Sequence, residues 1–249
     1  LAGVILTGPL VCGASQIVND WYDRDVDALN EPDRPIPSGR VPGTTAFWFA
    51  VVWTAIAQTW AILLGPWVAA ATGLGLAFAC AYSAPPPRLK MNGWRGNSAV
   101  AISYEGLAWI TGAAIVIGGD LPAQPILLIA LLYSIGAHGI MTLNDFKSVE
   151  GDLTMGIRSL PAQLGPTRAA RVACLFMLLP QLIVILLLVR WDLTPFALAV
   201  SVMVGAQCLA MRKLLQDPKQ FAPWYNATGV SLYVLGMMAV AIGLGGWLV

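Results

Sequence analysis

AARVACLFMLLPQLIVILLLV, residues 169–189, carries a single charge, Arg171, in an otherwise apolar stretch. Coiled as an α-helix it measures about 30 Å, the thickness of the hydrocarbon layer of a bilayer. Similar stretches recur along the chain and give eight expected spans: 1–18, 46–64, 67–84, 99–118, 126–143, 169–189, 195–211 and 226–249. Of the 249 residues, 57% are hydrophobic and only 11% are charged, whereas soluble domains carry charge on about a quarter of their residues. So little charge cannot cover a water-facing surface. The sequence predicts an all-α, polytopic bundle in the lipid bilayer, a single domain over residues 1–249.

The connections alternate in character. Residues 19–45, 83–98, 144–168 and 212–223 are long and polar; Gly65-Pro66, the GGDLPAQP stretch from Gly118 and RWDLTP from Arg190 are brief. Arg24, Arg34, Arg40, Arg88, Lys90, Arg95, Lys147, Arg158, Arg168, Arg171, Arg212, Lys213 and Lys219 fall on the long-loop side, and Arg190 alone on the other. Cytoplasmic loops hold the excess of Lys and Arg, so the long loops are expected in the cytoplasm and both chain ends outside. The net charge of +1 leaves no basic tract for a phosphate backbone, which argues against nucleic-acid binding. Cys12, Cys80, Cys174 and Cys208 sit in different apolar stretches, outside any CxxC or Cys/His pair, and read as packing residues.

The first long loop reads QIVNDWYDRDVDALNEPDRPIPSGR from Gln16. On a helix Asp20, Asp23 and Asp27 fall within about 60° of one another, and Asn19 widens the stripe to about 100°. Three carboxylates on one face repel unless cations lie between them. Asp25 lies on another face and is the weaker candidate. The segment NDFKSVEGD, residues 144–152, overlays this pattern: Asn144 on Asn19, Asp145 on Asp20, Ser148 on Asp23 and Asp152 on Asp27. Each copy is followed by a basic, proline-containing stretch, around Arg34 and around Arg158. The separation implies two related halves, roughly 1–120 and 121–249, around a central cavity open to the cytoplasmic side. Oxygen donors from Asp and Asn suit a hard cation, Mg²⁺ first and Mn²⁺ second. Solvated charges capping helix ends are the competing explanation.

NDxxDxxxD at Asn19 to Asp27, its degenerate copy and the all-helical setting resemble the UbiA superfamily of prenyltransferases. NDWYDRDVDALNEPDRPIPSG, YSAPPPRLKMNGWRGN from Tyr82, SYEGLAW from Ser103, and NDFKSVEGD followed by RSLPAQLG resemble the chlorophyll synthases within it. SYEG together with HGIMTLNDFKSVEGD is closer to their bacteriochlorophyll branch. The likeness runs through nearly the whole chain. That family has nine spans, so a further N-terminal helix is expected ahead of Leu1, a residue already within an apolar segment.

The resemblance implies esterification of the propionate of a chlorophyllide-type pigment by geranylgeranyl or phytyl diphosphate, with release of diphosphate, in a bacterial inner, photosynthetic membrane. Ionising an allylic diphosphate requires neutralising the charge on the leaving group, which divalent cations do as Lewis acids. Asn19, Asp20, Asp23, Asp27, Asn144, Asp145 and Asp152 are the expected metal ligands, with Asp23 and Asp27 the catalytic pair. Arg34, Arg88, Lys90, Lys147 and Arg158 are candidates to grip the diphosphate, each with a topological anchor as its plain alternative. Glu105 and His138 are costly inside spans; with Tyr82 they are candidates for the acceptor pocket, against a role in interhelical hydrogen bonding. A carboxylate acceptor is ionised near neutral pH and needs no general base. Other acceptors of the superfamily (a quinone precursor, a lipid or haem) are compatible with the same acidic motifs. A cation transporter would place its carboxylates at the bilayer midplane, and an antenna protein would carry several histidines where this chain has one.

Overall fold

The computed structural model describes residues 1–247, without the side chains of Leu29, Asn30 and Trp247. Among the described residues eight helices are long and apolar enough to cross a membrane. They are α1 (Ala2–Ala28), α2 (Gly43–Leu64), α3 (Pro66–Ser83), α4 (Gly93–Val116), α5 (Gln124–Lys147), α8 (Pro166–Arg190), α9 (Thr194–Gln216) and α10 (Pro218–Leu244). Two short helices, α6 (Val149–Thr154) and α7 (Leu160–Leu164), lie between α5 and α8. No strand occurs among the described residues; an isolated bridge joins Asn92 and Arg158. The all-α membrane architecture follows the apolar pattern because a backbone crossing hydrocarbon must satisfy its own polar groups.

The expected spans match in number and differ at their ends. α1 continues through the acidic motif, α4 begins at Gly93, and α9 and α10 meet at Asp217. The long loop expected over residues 212–223 is therefore a tight corner. Asp217 caps α10 by accepting from the Gln220 amide at 3.2 Å, and Pro218 occupies the first turn, where its missing N–H costs nothing. Polarity at 212–223 marks only the end of the apolar window, and the helices continue through it. Of the expected last span, residues 248–249 lie outside the described residues.

Two compact units are formed, Leu1–Leu89 with Leu107–Pro122, and Lys90–Gly106 with Ala123–Val249. In the first, α1, α2, α3 and the second half of α4 enclose Leu6, Leu10, Ala57, Ala61, Val68, Leu76 and Ala114. Pro9 lies in a π-helical stretch, Leu6–Cys12, and its carbonyl accepts the Trp53 indole at 2.9 Å. A proline inside a helix cannot donate to the turn before it, and a local π-turn accommodates the gap.

In the second unit α5 packs against the first half of α4, α8 and α10. Glycines allow these approaches: a Cβ on Gly139 would stand 2.5 Å from the Ala173 carbonyl, and one on Gly136 would stand 2.0 Å from the Tyr233 hydroxyl. Gln181 on α8 and Gln207 on α9 are fully buried and exchange two amide hydrogen bonds of 3.1 Å. In lipid such a pair is interhelical glue. Gln181→Leu should cost about 1–2 kcal/mol by stranding the Gln207 amide, while Gln181→Leu/Gln207→Leu should recover most of that loss. Thermal unfolding of the purified protein in detergent checks the order; a double variant less stable than either single would refute the pairing.

Candidate active site

The first acidic stripe occupies about the last three turns of α1. Asn19 donates to Asp23 Oδ2 at 3.0 Å and lies 3.0 Å from Ser83 Oγ on α3, which fixes its amide. After α1 the chain turns back on itself, with Ser38 N–H bonded to the Arg34 carbonyl at 3.0 Å. The turn returns Arg34 to the stripe. Its Nη1 lies 3.2 Å from Asp20 Oδ1 and 3.0 Å from Asp27 Oδ2, while its Nε pairs with Glu31. Burial opposes the guanidinium charge, yet the Glu31 hydrogen bond and the carboxylates of Asp27, Glu31 and Asp20 outweigh it and hold its pKa above the ordinary value. Arg88 reaches Asp23 Oδ1 at 3.6 Å from a left-handed backbone, φ +34°. That conformation is costly for a non-glycine residue and is found where structure imposes it. Asp25 points away, its side chain 85% exposed beside Arg24.

The second copy is folded differently. The α-helical part of α5 ends at Asn144, its last three residues, Asp145–Lys147, form a 3₁₀ turn, and Ser148 stands at the N-cap of α6, so the segment does not continue as a single α-helix. Asp145 Oδ2 accepts from Asn97 Nδ2 at 3.0 Å, and Asn144 accepts from Asn226 of α10. Ser148 Oγ stands 3.2 Å from the Oδ2 of buried Asp152. Its hydroxyl takes the relation to Asp152 that the Asn19 amide has to Asp23.

The basic stretch near Arg158 is tied to the loop before α4. Gly93 N–H donates to the Arg158 carbonyl at 2.7 Å, and Arg158 N–H donates to the Met91 carbonyl at 3.0 Å. A Cβ on Gly93 would lie 2.6 Å from the Leu160 nitrogen, so only glycine permits this approach. The same clamp sets the Leu160 amide on the Asp145 carboxylate. Asn92 then caps α4 by accepting from Trp94 N at 3.0 Å. The Arg158 and Lys147 side chains are exposed and Lys90 is half-buried.

Among the acceptor candidates, Glu105 sits half-buried in a π-helical turn of α4, Ile102–Gly106, a feature common at functional sites. His138 is 3% exposed, its ring packed against Phe176 at 4.6 Å and Trp94 at 5.6 Å, two rings that also meet each other at 6.2 Å. Tyr82 is half-buried near the end of α3.

No three acidic or thiol side chains are gathered as a metal cage among the described residues. The oxygen donors of Asn19, Asp20, Asp23 and Asp27 are nevertheless of the type a hard cation takes, and a positive charge, the Arg34 guanidinium, already lies between Asp20 and Asp27. Asn97, Asn226 and Ser83 were not among the candidates from sequence. Asn97 and Asn226 sit at span ends, where they read as loop polarity, although Asn97 belongs to the NGWRGN run.

Eight spans bearing clustered carboxylates, amides and arginines define an integral-membrane enzyme that handles an anionic substrate with divalent cations. The chain belongs to the UbiA prenyltransferase family, whose pattern matches residues 1–230. It is 53% identical to the bacteriochlorophyll synthase 33 kDa chain of Cereibacter sphaeroides over 246 residues, 99% of this chain and 81% of that protein. It is 38% identical to the chloroplastic chlorophyll synthase of Arabidopsis thaliana, over 96% of this chain and 63% of that one. The fold matches a UbiA homolog from Archaeoglobus fulgidus bound to GPP and Mg²⁺, with a TM-score of 0.72 at 18% identity, covering 96% of this chain and 87% of that one.

Asp23→Asn and Asp27→Asn should each lower kcat roughly a hundred- to a thousandfold by removing charge that balances cations in the transition state. Ser148→Ala, which removes one hydrogen bond to Asp152, should cost less than about tenfold. Turnover against Mg²⁺ concentration measures both; near-normal activity in the two aspartate variants would remove the stripe from the metal site.

Proposed function

We infer that this chain is a bacteriochlorophyll synthase, transferring a geranylgeranyl or phytyl group from its diphosphate to the propionate of a bacteriochlorophyllide. The observation that carries this reading is the gradient of identity over nearly the whole chain, 53% to a bacteriochlorophyll synthase against 38% to a chlorophyll synthase. Its setting is the photosynthetic inner membrane, with the acidic clusters on the cytoplasmic side, as the thirteen-to-one distribution of basic residues supports.

Magnesium is the preferred cation, with manganese able to replace it; when bound it neutralises the diphosphate as the allylic carbon–oxygen bond breaks. Asn19, Asp20, Asp23 and Asp27 form one ligand set, and Asn144, Asp145 and Asp152 a second. Arg34 and Arg88, which pair with the first set here, become available to the diphosphate once cations replace them. Lys90, Lys147 and Arg158 add positive charge, and the exposed side chains of the last two are free to reorient toward an anion. The acceptor carboxylate attacks the prenyl C1, forming the ester oxygen–carbon bond, and the electron pair leaves with diphosphate. No proton moves, so no general base is needed.

Glu105 and Tyr82, both half-buried, are the acceptor-side candidates. The enclosed ring of His138 favours a packing role over ligation of the pigment's central magnesium.

Membranes containing the protein, given radiolabelled geranylgeranyl diphosphate and bacteriochlorophyllide, should yield the labelled pigment ester. The propionate methyl ester of the same pigment should be inert. Label in a quinone or lipid, or turnover of the methyl ester, would contradict the assignment.

A further inference from the structure

Ser159, in the segment between α6 and α7, is 4% exposed, and its Oγ meets no hydrogen-bond partner among the described residues. A buried hydroxyl without a partner costs stability, and native proteins keep few of them without a use. The ordinary use would be a cap, since a serine placed just before a helix accepts from an amide of its first turn. Ser159 stands just before α7 and makes no such bond; Pro161, at one of the two positions it could have used, has no N–H.

The backbone that carries this hydroxyl is fixed on both sides. Arg158 N–H donates to the Met91 carbonyl at 3.0 Å, and the Arg158 carbonyl accepts from Gly93 N–H at 2.7 Å and from the Gln163 side chain. The Ser159 carbonyl accepts from Gln163 N–H at 2.9 Å. The next amide, that of Leu160, donates to the Asp145 carboxylate. Asp145 Oδ2 also accepts from Asn97, whose amide lies 3.5 Å from Thr142 Oγ1. Four covalent bonds separate a serine Oγ from the following backbone nitrogen, so Ser159 Oγ lies within about 5 Å of the amide that touches Asp145. All of these residues belong to one compact unit. Rotation about the Cα–Cβ bond of Ser159 swings the hydroxyl between staggered positions and leaves the clamp undisturbed.

We propose that Ser159 is a substrate-binding residue whose hydroxyl donates to a non-bridging oxygen of the diphosphate at the second ligand set. A hydroxyl has one proton to give, and a diphosphate oxygen is an anionic acceptor, so the bond is of the charge-assisted kind, stronger than one between neutral groups. A Mg²⁺ ion joins a carboxylate to a phosphate oxygen at about 2.0–2.1 Å from each. Diphosphate held through a cation on Asp145 is thereby brought within the reach of Ser159. Arg158, the preceding residue, has an exposed side chain that adds charge, and Ser159 adds direction. The donor is the serine's own hydroxyl, and the five-residue α7 plays no part in it. This role rests on the reading of Asp145 as a cation ligand. It also accounts for the orphan: the free protein bears an unsatisfied donor whose partner arrives with the substrate, stability given up for function.

The test uses the full chain in detergent with saturating Mg²⁺ and inorganic diphosphate, the released product, as the probe. Calorimetric titration gives its Kd, and thermal unfolding without diphosphate gives the stability of the free protein. Ser159→Ala should bind diphosphate about tenfold more weakly. The same variant, free of ligand, should unfold at the wild-type temperature or above it, because an unpartnered hydroxyl has been removed. A hydroxyl that supported the fold would give the opposite shift. Ser159→Cys, similar in size and a poor donor, should show the same loss of affinity and carries the test if Ser159→Ala does not fold. Wild-type affinity in these variants overturns the proposal, and so does a ligand-free Ser159→Ala that unfolds well below the wild type. Asp145→Asn should weaken binding by more than Ser159→Ala does. Wild-type affinity in Asp145→Asn would instead reject the second set as the seat of the diphosphate, and the proposal with it.

Discussion

Carboxylates gathered on one face of α1 impose the constraint from which the surrounding structure follows. Asp20, Asp23 and Asp27 are partly buried, in surroundings where neighbouring like charges are poorly screened by water. The chain supplies two counter-ions of its own, Arg34 bridging Asp20 and Asp27, and Arg88 beside Asp23. The turn after α1 and the left-handed backbone at Arg88 exist in forms that deliver these guanidinium groups. On the proposed reading a divalent cation would take the place between the carboxylates while the guanidinium moves to the phosphate that accompanies it. Asn19, tied to both Asp23 and Ser83, fixes the position of the Asp23 carboxylate.

The second copy solves the same problem with amides instead of arginines. Asn97 and Asn226 reach Asp145 and Asn144 from α4 and α10, and Ser148 stands by Asp152. Hydrogen-bond donors stabilise a carboxylate without adding charge, which suits a set with fewer acids. The break of α5 into a 3₁₀ turn at Asp145 follows from this arrangement, because a continuous helix would carry the later residues of the motif round a single face as α1 does. Likeness in sequence between the two motifs therefore conceals two different devices.

The spans were legible in the sequence because the bilayer imposes one length and one polarity on each of them. The stripe on α1 was legible because helical spacing decides which side chains share a face. Other features were not. The corner at Asp217 was hidden because helices outlast the apolar window, and the loop expected there vanished into the ends of α9 and α10. The pairing of Arg34 with Asp20 and Asp27 depends on the course of a turn that local pattern does not encode. Asn97 gave no signal beyond being polar near a span, since its meaning comes from Thr142 and Asp145, 45 and 48 positions away along the chain. Gly93 likewise reads as an ordinary loop glycine until the Leu160 backbone is found against it.

An account in which charge exchange at the α1 stripe prepares the diphosphate for departure makes a direct demand on the metal-bound state. Anomalous diffraction from crystals grown with Mn²⁺ and a non-ionisable geranylgeranyl diphosphate analogue locates each ion independently of any assumption about ligands. The expected result is an anomalous peak within about 2.2 Å of carboxylate oxygens of the Asp20, Asp23 and Asp27 stripe, with the Arg34 guanidinium withdrawn from Asp20 and Asp27 and bonded to the analogue. Arg34 still bridging the two aspartates, with the ions and the diphosphate bound elsewhere, would contradict it.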